Sequence, residues 1–351
     1  MSADNKISVL IIDDSAFMRK MIADLLERDK RIRVVEKARN GRDGIEKIKK
    51  YKPDVVTLDV EMPVMNGLDA LRKIMKETPL PVIMVSSTTK KGADNTLEAM
   101  SLGAFDFITK PSGAISLDIH KVQNELIEKV TAASNVRPVQ VRSHENQRHP
   151  VIRKRQPPVT LVRTKIVAIG TSTGGPRALQ TVLGNIPRDF PYPILVVQHM
   201  PPGFTKSLSE RLDGQAQIKV KEAEHGEIIK RGIAYIAPGG YHLKVKKLGS
   251  SVVVHLDDES DTVNGHRPSV DVMLTSLATL PKTRVISVIL TGMGSDGTEG
   301  IKSLKRNSDV YVITESEETA VVYGMPRAVV ESGLSDAVTN LDHITNELGQ
   351  H

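Results

Sequence analysis

Short, β-branched apolar runs alternate with stretches of helical period along most of the chain. In the first third the runs are Val9–Ile12, Val34–Lys37, Val55–Leu58, Val82–Ser86 and Phe105–Thr109. Each is too short for a helix and reads as a buried strand. After the first, Met18, Met21, Ile22, Leu25 and Leu26 return at helical spacing, and Ser15 stands where an N-cap belongs. The alternation over residues 7–133 predicts a parallel sheet with helices on both faces. A second set of strands is expected at Ile166–Ile169, Ile194–Gln198, Ile233–Ala237, Val252–His255, Val285–Leu290 and Val310–Thr314. Helices are expected near Arg177–Leu183, Thr205–Leu212, Ser269–Thr279 and Gly297–Lys305. His242 to Asp261 reads as a hairpin turning at Gly249-Ser250, so the second sheet is expected to be mixed, mainly parallel. No repeat relates the two halves.

Between the halves the apolar period disappears and Pro138, Pro150, Pro157 and Pro158 appear. Such a stretch reads as a linker. The expected organisation is an α/β domain over 6–130, a basic Pro-containing linker over 131–163, and a second α/β domain over 164–349. A chain of 351 residues is long enough for two cores.

A net charge of +6 invites a nucleic-acid reading. Between Val136 and Thr160, however, six basic residues face the single acid Glu145. The excess therefore belongs to the linker, where it is most simply solvated. The second half also lacks a compact helix-turn-helix with a basic recognition face, so no nucleic-acid partner is expected. The absence of Cys excludes disulfides, a thiolate nucleophile and cysteine-based zinc sites. Met1–Asn5 does not begin a secretory signal, and runs such as Val285–Leu290 are too short to span a bilayer. A soluble cytoplasmic protein without membrane insertion is expected.

Candidate chemistry gathers at strand ends. Asp13 and Asp14 follow the first strand and Asp59 the third. In a parallel sheet the carboxyl ends share one edge, where sites form. Three carboxylates brought together there repel unless a divalent cation joins them, and oxygen donors of this kind suit Mg²⁺. Asp59 could then be the nucleophile of a phosphoryl transfer, giving an aspartyl phosphate. Asp13 and Asp14 would hold Mg²⁺, with Glu61 offering its main-chain carbonyl. Lys110 would pair with the phosphoryl oxygens and Ser86 would donate a hydrogen bond to one of them.

The segments Ile12-Asp13-Asp14-Ser15, Leu58-Asp59-Val60-Glu61-Met62-Pro63, Val85-Ser86-Ser87 and Thr109-Lys110-Pro111 together resemble the receiver domain of two-component response regulators. The resemblance covers roughly residues 6–130 and implies a five-stranded, doubly wound, flavodoxin-like fold. It also implies phosphorylation by a histidine kinase. Phe107 sits where receivers carry an aromatic residue that reorients on phosphorylation; an ordinary core Phe is the competing reading.

In the second half, Gly170-Thr171-Ser172-Thr173-Gly174 matches G-x-S-x-G, a sharp strand-to-helix turn that exposes a serine hydroxyl. Alone, the pattern equally fits a phosphate-binding or structural turn. His199 ends the strand Ile194–Gln198, and Asp296 follows Val285–Leu290. If these strands run parallel, Ser172, His199 and Asp296 project from one edge. Ser172 would attack a carbonyl, His199 would take and return its proton, and Asp296 would orient His199. The order Ser…His…Asp differs from that of α/β-hydrolases. Gly292-Met293-Gly294 and the helix start after Thr173 could supply amides to an oxyanion. His144 and His149 lie in the linker and His351 is terminal; His225, His242, His255 and His266 have no acidic and serine partners that can be placed.

Ile169–Pro176, Gln198–Phe204 and Leu290–Gly297 resemble the effector domain of chemotaxis protein-glutamate methylesterases, as do Ile236–Gly240 and Val322–Pro326. Thr171 replaces the alanine common in the first of these motifs. The resemblance implies that Ser172, His199 and Asp296 form a triad, and that Thr173 and Met293 shape the site and its oxyanion hole. It implies hydrolysis of γ-glutamyl methyl esters on chemoreceptors with release of methanol, deamidation of receptor glutamines, and no cofactor in this half. It also implies an unmodified receiver packed over the catalytic edge until Asp59 is phosphorylated. Two other readings compete. One is a non-enzymatic response regulator whose second half binds a partner. The other, a dinucleotide site at Gly170–Gly175, lacks the acidic ribose partner that pattern expects.

Overall fold

The computed structural model describes residues 6–110, 118–136 and 164–351. Most of the expected linker, residues 137–163, lies outside the described residues.

The first unit runs β1 (Ile7–Ile12), α1 (Ala16–Leu26), β2 (Ile32–Ala38), α2 (Gly41–Tyr51), β3 (Val55–Asp59), α3 (Gly67–Glu77), β4 (Val82–Ser86), α4 (Lys90–Ser101), β5 (Asp106–Thr109) and α5 (Asp118–Ser134). Its five strands are parallel in the order β2-β1-β3-β4-β5. Val9–Ile12, Val55–Leu58 and Val82–Val85 are buried throughout, as strands covered on both faces must be. Polar caps start the helices that follow the carboxyl ends of these strands: the Ser15 hydroxyl accepts from the Met18 amide, and Asn40, Asn66 and Thr89 do the same for α2, α3 and α4.

The second unit runs β6 (Thr164–Thr171), α6 (Gly175–Gly184), β7 (Ile194–Gln198), α7 (Phe204–Asp213), β8 (Lys219–Glu222), β9 (Ile233–Ile236), β10 (His242–Leu248), β11 (Ser251–Asp257), α8 (Val270–Leu277), β12 (Thr283–Ile289), α9 (Thr298–Asn307), β13 (Asp309–Glu315), α10 (Met325–Glu331) and β14 (Ala337–Thr339). A short 3₁₀ turn (Leu341–His343) and α11 (Ile344–Leu348) close it. The large sheet has seven strands in the order β14-β13-β12-β6-β7-β9-β8, and every pairing is parallel. The expected mixed sheet is thus corrected. The β10–β11 hairpin forms a separate two-stranded sheet, because its apolar positions Leu243 and Val245 join the core beneath α8 and the Val245 amide donates to Ser276 on that helix.

The two units pack together. Helix α4 lies against α6 and α7, with Leu97 and Met100 facing Leu208 and Leu212. Phe107 of β5 stacks on Phe204 at the start of α7, with centroids 4.8 Å apart and planes inclined by 13°. Among the described residues no helix is long and apolar enough to cross a membrane.

Candidate functional site

At the carboxyl edge of the first sheet, Asp13, Asp14 and Asp59 bring ligand oxygens within 4.8 Å of one another. Asp13 and Asp59 are buried and Asp14 is exposed. Lys110 Nζ sits 2.8 Å from Asp59 Oδ1 and 3.8 Å from Asp13 Oδ2. Burial, aided by the charge on Asp59, pushes the Asp13 carboxyl up to about 6. Burial also raises Asp59, though Lys110 opposes it. Burial alone would lower the Lys110 amine, but its hydrogen bond to Asp59 and the surrounding carboxylates keep it raised. Asp13 Oδ2 and Asp59 Oδ2 are buried without a hydrogen-bond partner. Converging carboxylate oxygens left without donors are the donor set a hard divalent cation takes.

The other expected residues of this pocket are placed less uniformly. The Glu61 side chain turns to Lys91, at 3.1 Å, so only its main chain faces the cluster. The Ser86 hydroxyl donates to the Gly92 carbonyl at 3.1 Å and is engaged with α4. Phe107 points inward and is 5% exposed.

In the second sheet the parallel register brings the expected trio to one edge. Thr171 pairs with Gln198, so Ser172 and His199 each follow a register partner. The His199 amide donates to the Thr171 carbonyl at 3.1 Å, and the Ser172 amide to the Thr291 carbonyl at 3.0 Å. The turn after Ser172 closes on Gly175, whose amide donates back to Ser172 O. A Cβ at Gly175 would lie 1.9 Å from the Gln198 amide oxygen, so only glycine fits there.

His199 Nε2 lies 2.8 Å from Asp296 Oδ2. Asp296 is held at the N-terminus of α8: Oδ1 accepts from the Ser269 hydroxyl and the Asp271 amide, and Oδ2 also accepts from the Val270 amide. Burial alone would raise this carboxyl, but the hydrogen bond and charge of His199 and the main-chain donors hold it well below its ordinary range. An ionised acceptor at Nε2 fixes the tautomer, with the proton on Nε2 and the lone pair on Nδ1. Nδ1 is buried and has no partner. Ser172, half-buried, makes no side-chain hydrogen bond to His199 here; the structure joins two of the three groups directly and sets the third on the neighbouring strand end.

The expected oxyanion donors divide. The Gly292 amide donates to the Val322 carbonyl at 3.0 Å and is not free. Gly292 instead permits close packing, since a Cβ there would lie 2.3 Å from Met325 Sδ and 2.9 Å from Ser172 Cβ. The amides of Thr173 and Met293 make no main-chain hydrogen bond among the described residues. The Thr173 hydroxyl donates to Asp106 Oδ2 of the first unit at 2.5 Å. Asp106 is itself paired with Lys129 at 3.3 Å.

Several residues of the site carry weaker signals in the sequence. Ser269 begins a helix, and helix N-termini attract anions, so an acidic partner for it was in principle readable. Glu315 at the end of β13 accepts the Thr291 amide at 2.7 Å. His266, for which the sequence places no acidic or serine partner, stacks on His199 with centroids 3.8 Å apart and planes inclined by 10°.

Residues 167–348 match the sequence model of the CheB methylesterase family, and residues 9–120 that of the response regulator receiver domain. The chain is similar to "Protein-glutamate methylesterase/protein-glutamine glutaminase" of Halalkalibacterium halodurans, 55% identical over 345 residues and 98% of each chain. It is similar to the protein of that name from Geobacillus kaustophilus, 54% identical over 98% of each. The solved Thermotoga maritima CheB methylesterase catalytic domain is 50% identical, covers 54% of this chain and 99% of its own, and superposes with a TM-score of 0.51.

Proposed function

Because the chain belongs to the CheB methylesterase family and carries a receiver domain ahead of its catalytic sheet, we propose that it is a phosphorylation-activated protein-glutamate methylesterase and protein-glutamine glutaminase. Its substrates are methylated glutamates and particular glutamines of chemoreceptors, and its phosphodonor is the histidine kinase of the same pathway.

Ser172 Oγ attacks the γ-acyl carbon of the modified glutamate while His199 Nδ1 takes its proton. Asp296, kept anionic by its donors, stabilises the imidazolium that forms. The amides of Thr173 and Met293, neither of which donates to another main-chain group, serve the oxyanion. Collapse expels methanol, protonated by His199. Water then attacks the acyl-enzyme, gives its proton to His199, and regenerates the serine. A glutamine side chain follows the same course with ammonia as the leaving group. The observation that carries this reading is the His199–Asp296 hydrogen bond, which leaves Nδ1 unpartnered at the edge where Ser172 stands.

In the receiver, an Asp59 oxygen attacks the phosphorus of a phosphohistidine and displaces the imidazole. Lys110 pairs with the phosphoryl oxygens. Asp13, Asp14 and the Glu61 carbonyl would hold Mg²⁺, whose charge offsets the oxygens during transfer. Ser86 would reach the phosphoryl group only by leaving the Gly92 carbonyl.

The test uses the full chain and membranes bearing methyl-labelled receptors, with and without acetyl phosphate. Methanol release should rise with the phosphodonor, vanish in Ser172→Ala, and lose its phosphodonor response in Asp59→Asn. Unchanged release in Ser172→Ala would refute the nucleophile; an undiminished response in Asp59→Asn would refute the coupling.

A further inference from the structure

One hydrogen bond does not fix an imidazole. With Nε2 held by Asp296, the His199 ring can still turn about the axis of that bond, and Nδ1 has no partner to stop it. What limits the turn is a second ring lying flat on the first. The His266 centroid is 3.8 Å from that of His199, and the planes differ by 10°. Rotation of His199 out of its plane would drive its edge into the half-buried ring of His266, which already lies at stacking distance.

The main chain that carries His266 is anchored. Its amide and carbonyl exchange hydrogen bonds with Val263, at 2.9 and 3.1 Å. Its loop leads directly into Ser269, Val270 and Asp271, which hold Asp296. One continuous segment thus grips both the carboxylate and the face of the imidazole. Burial, with the neighbouring His199 adding to it, lowers His266 to about 4, so its ring is neutral near pH 7. A neutral ring does not repel the charge that His199 gains during the reaction. The other charged groups facing His266 are Asp296 and, from α5 of the receiver, Glu125 and Lys129.

We propose that His266 is a positioning residue for hydrolysis, its stacked ring holding the plane of the His199 imidazole and with it the direction of Nδ1. This rests on His199 being the base, and the experiment separates the two claims. The full chain, activated with acetyl phosphate, is assayed for methanol release from methyl-labelled receptor membranes. In His266→Ala, kcat should fall about tenfold with KM unchanged, since a misaligned base costs turnover and not binding. His266→Leu, which keeps the bulk but not the flat ring, should behave like the alanine variant. His266→Phe, which restores the stack, should keep kcat within about twofold of the parent. The low-field proton resonance of the Nε2–H bonded to Asp296 should be sharp in the parent and in His266→Phe, and broadened in the other two. Wild-type kcat in His266→Ala, or equal rates in the Leu and Phe variants, would overturn the proposal. Wild-type turnover in His199→Gln would instead show that the base itself was misassigned.

Discussion

Asp296→Asn isolates the charge of Asp296, because the amide has nearly the same shape. Four donors meet the carboxylate. Oδ1 accepts from the Ser269 hydroxyl and the Asp271 amide, both at 2.9 Å. Oδ2 accepts from the Val270 amide at 2.7 Å and from His199 at 2.8 Å. An amide oxygen can serve only one of these pairs, and its NH₂ then confronts the other. In the Oδ1 place it meets the fixed N–H of Asp271. In the Oδ2 place it meets that of Val270 and also forces Nε2 of His199 to present a lone pair. The imidazole proton would then sit on Nδ1, the position that must receive the serine's proton. Either orientation leaves a buried main-chain donor without an acceptor, at a cost of about 1–3 kcal/mol. With the oxygen left in the Oδ2 place the tautomer survives but the charge that stabilises the imidazolium is gone; with NH₂ there the tautomer is lost as well, an exchange worth about 10⁴-fold in kcat in a serine-protease triad. The expectation for activated full-length protein is a fall in methanol release of at least about 10³-fold. A melting temperature only a few degrees lower would show that the fold is kept. A folded Asn variant within about tenfold of the parent would refute the assignment of Asp296 as the group that orients and charges His199.

Phe107→Ala removes a nearly buried ring that stacks on Phe204 across the two units. Truncations of this kind cost about 3–5 kcal/mol, here shared between the receiver core and the interface. Methanol release without phosphodonor should rise and its further stimulation by acetyl phosphate should shrink; an unchanged basal rate would refute the interface role. Glu315 is fully buried, and burial pushes it up to about 7 from an ordinary 4.5. The folded state therefore binds the extra proton, and stability declines as pH rises from about 4.5 through 7, by about 3 kcal/mol once Glu315 is ionised. Glu315→Gln carries no such proton, so its melting temperature should depend less on pH between about 5 and 8 than that of the parent. Parallel curves would show that Glu315 ionises without penalty.

The strands and the acidic, serine and histidine positions at their ends were legible because they are local. Each of Asp13, Asp59, Ser172 and His199 comes at or just after a short buried run, and the alternation of periods announces a parallel sheet. What escaped depends on contacts between distant segments. The edge strand β8 reads Lys-Val-Lys-Glu, and only Val220 within it is buried, so its pattern is that of a surface loop. The hairpin was visible, but its preference for α8 over the large sheet was not. Ser269, Val270 and Asp271 meet Asp296 across more than twenty residues of chain. His266 lacks any local mark, because stacking on another ring leaves no signature in its neighbours. Motif position alone also overstated Gly292, whose amide is already spent, and gave no hint that the Ser86 hydroxyl is engaged elsewhere.

The contacts of β5 explain how phosphorylation at one sheet could reach the other. Directly after this short strand, Lys110 holds Asp59 at 2.8 Å. Within it, Phe107 stacks on Phe204 and Asp106 accepts the hydroxyl of Thr173, the residue beside Ser172, the proposed nucleophile. Adding a phosphoryl group to Asp59 changes what Lys110 pairs with, and so acts on the strand that touches the catalytic edge. Such a change can open the interface only by the difference in contact energy between the two arrangements. The charges are disposed to keep that difference small. Asp106 takes Lys129 with it at 3.3 Å, and Lys129 also binds Glu125 at 2.7 Å, all three within the receiver. Separation therefore breaks the Thr173 hydroxyl bond, the bond from the Arg211 guanidinium to the Ser101 hydroxyl at 2.9 Å, and apolar contacts, and it splits no ion pair among the described residues. Had Lys129 belonged to the catalytic half, opening would have split a buried ion pair at a cost of several kcal/mol, more than a modest rearrangement at Asp59 could supply.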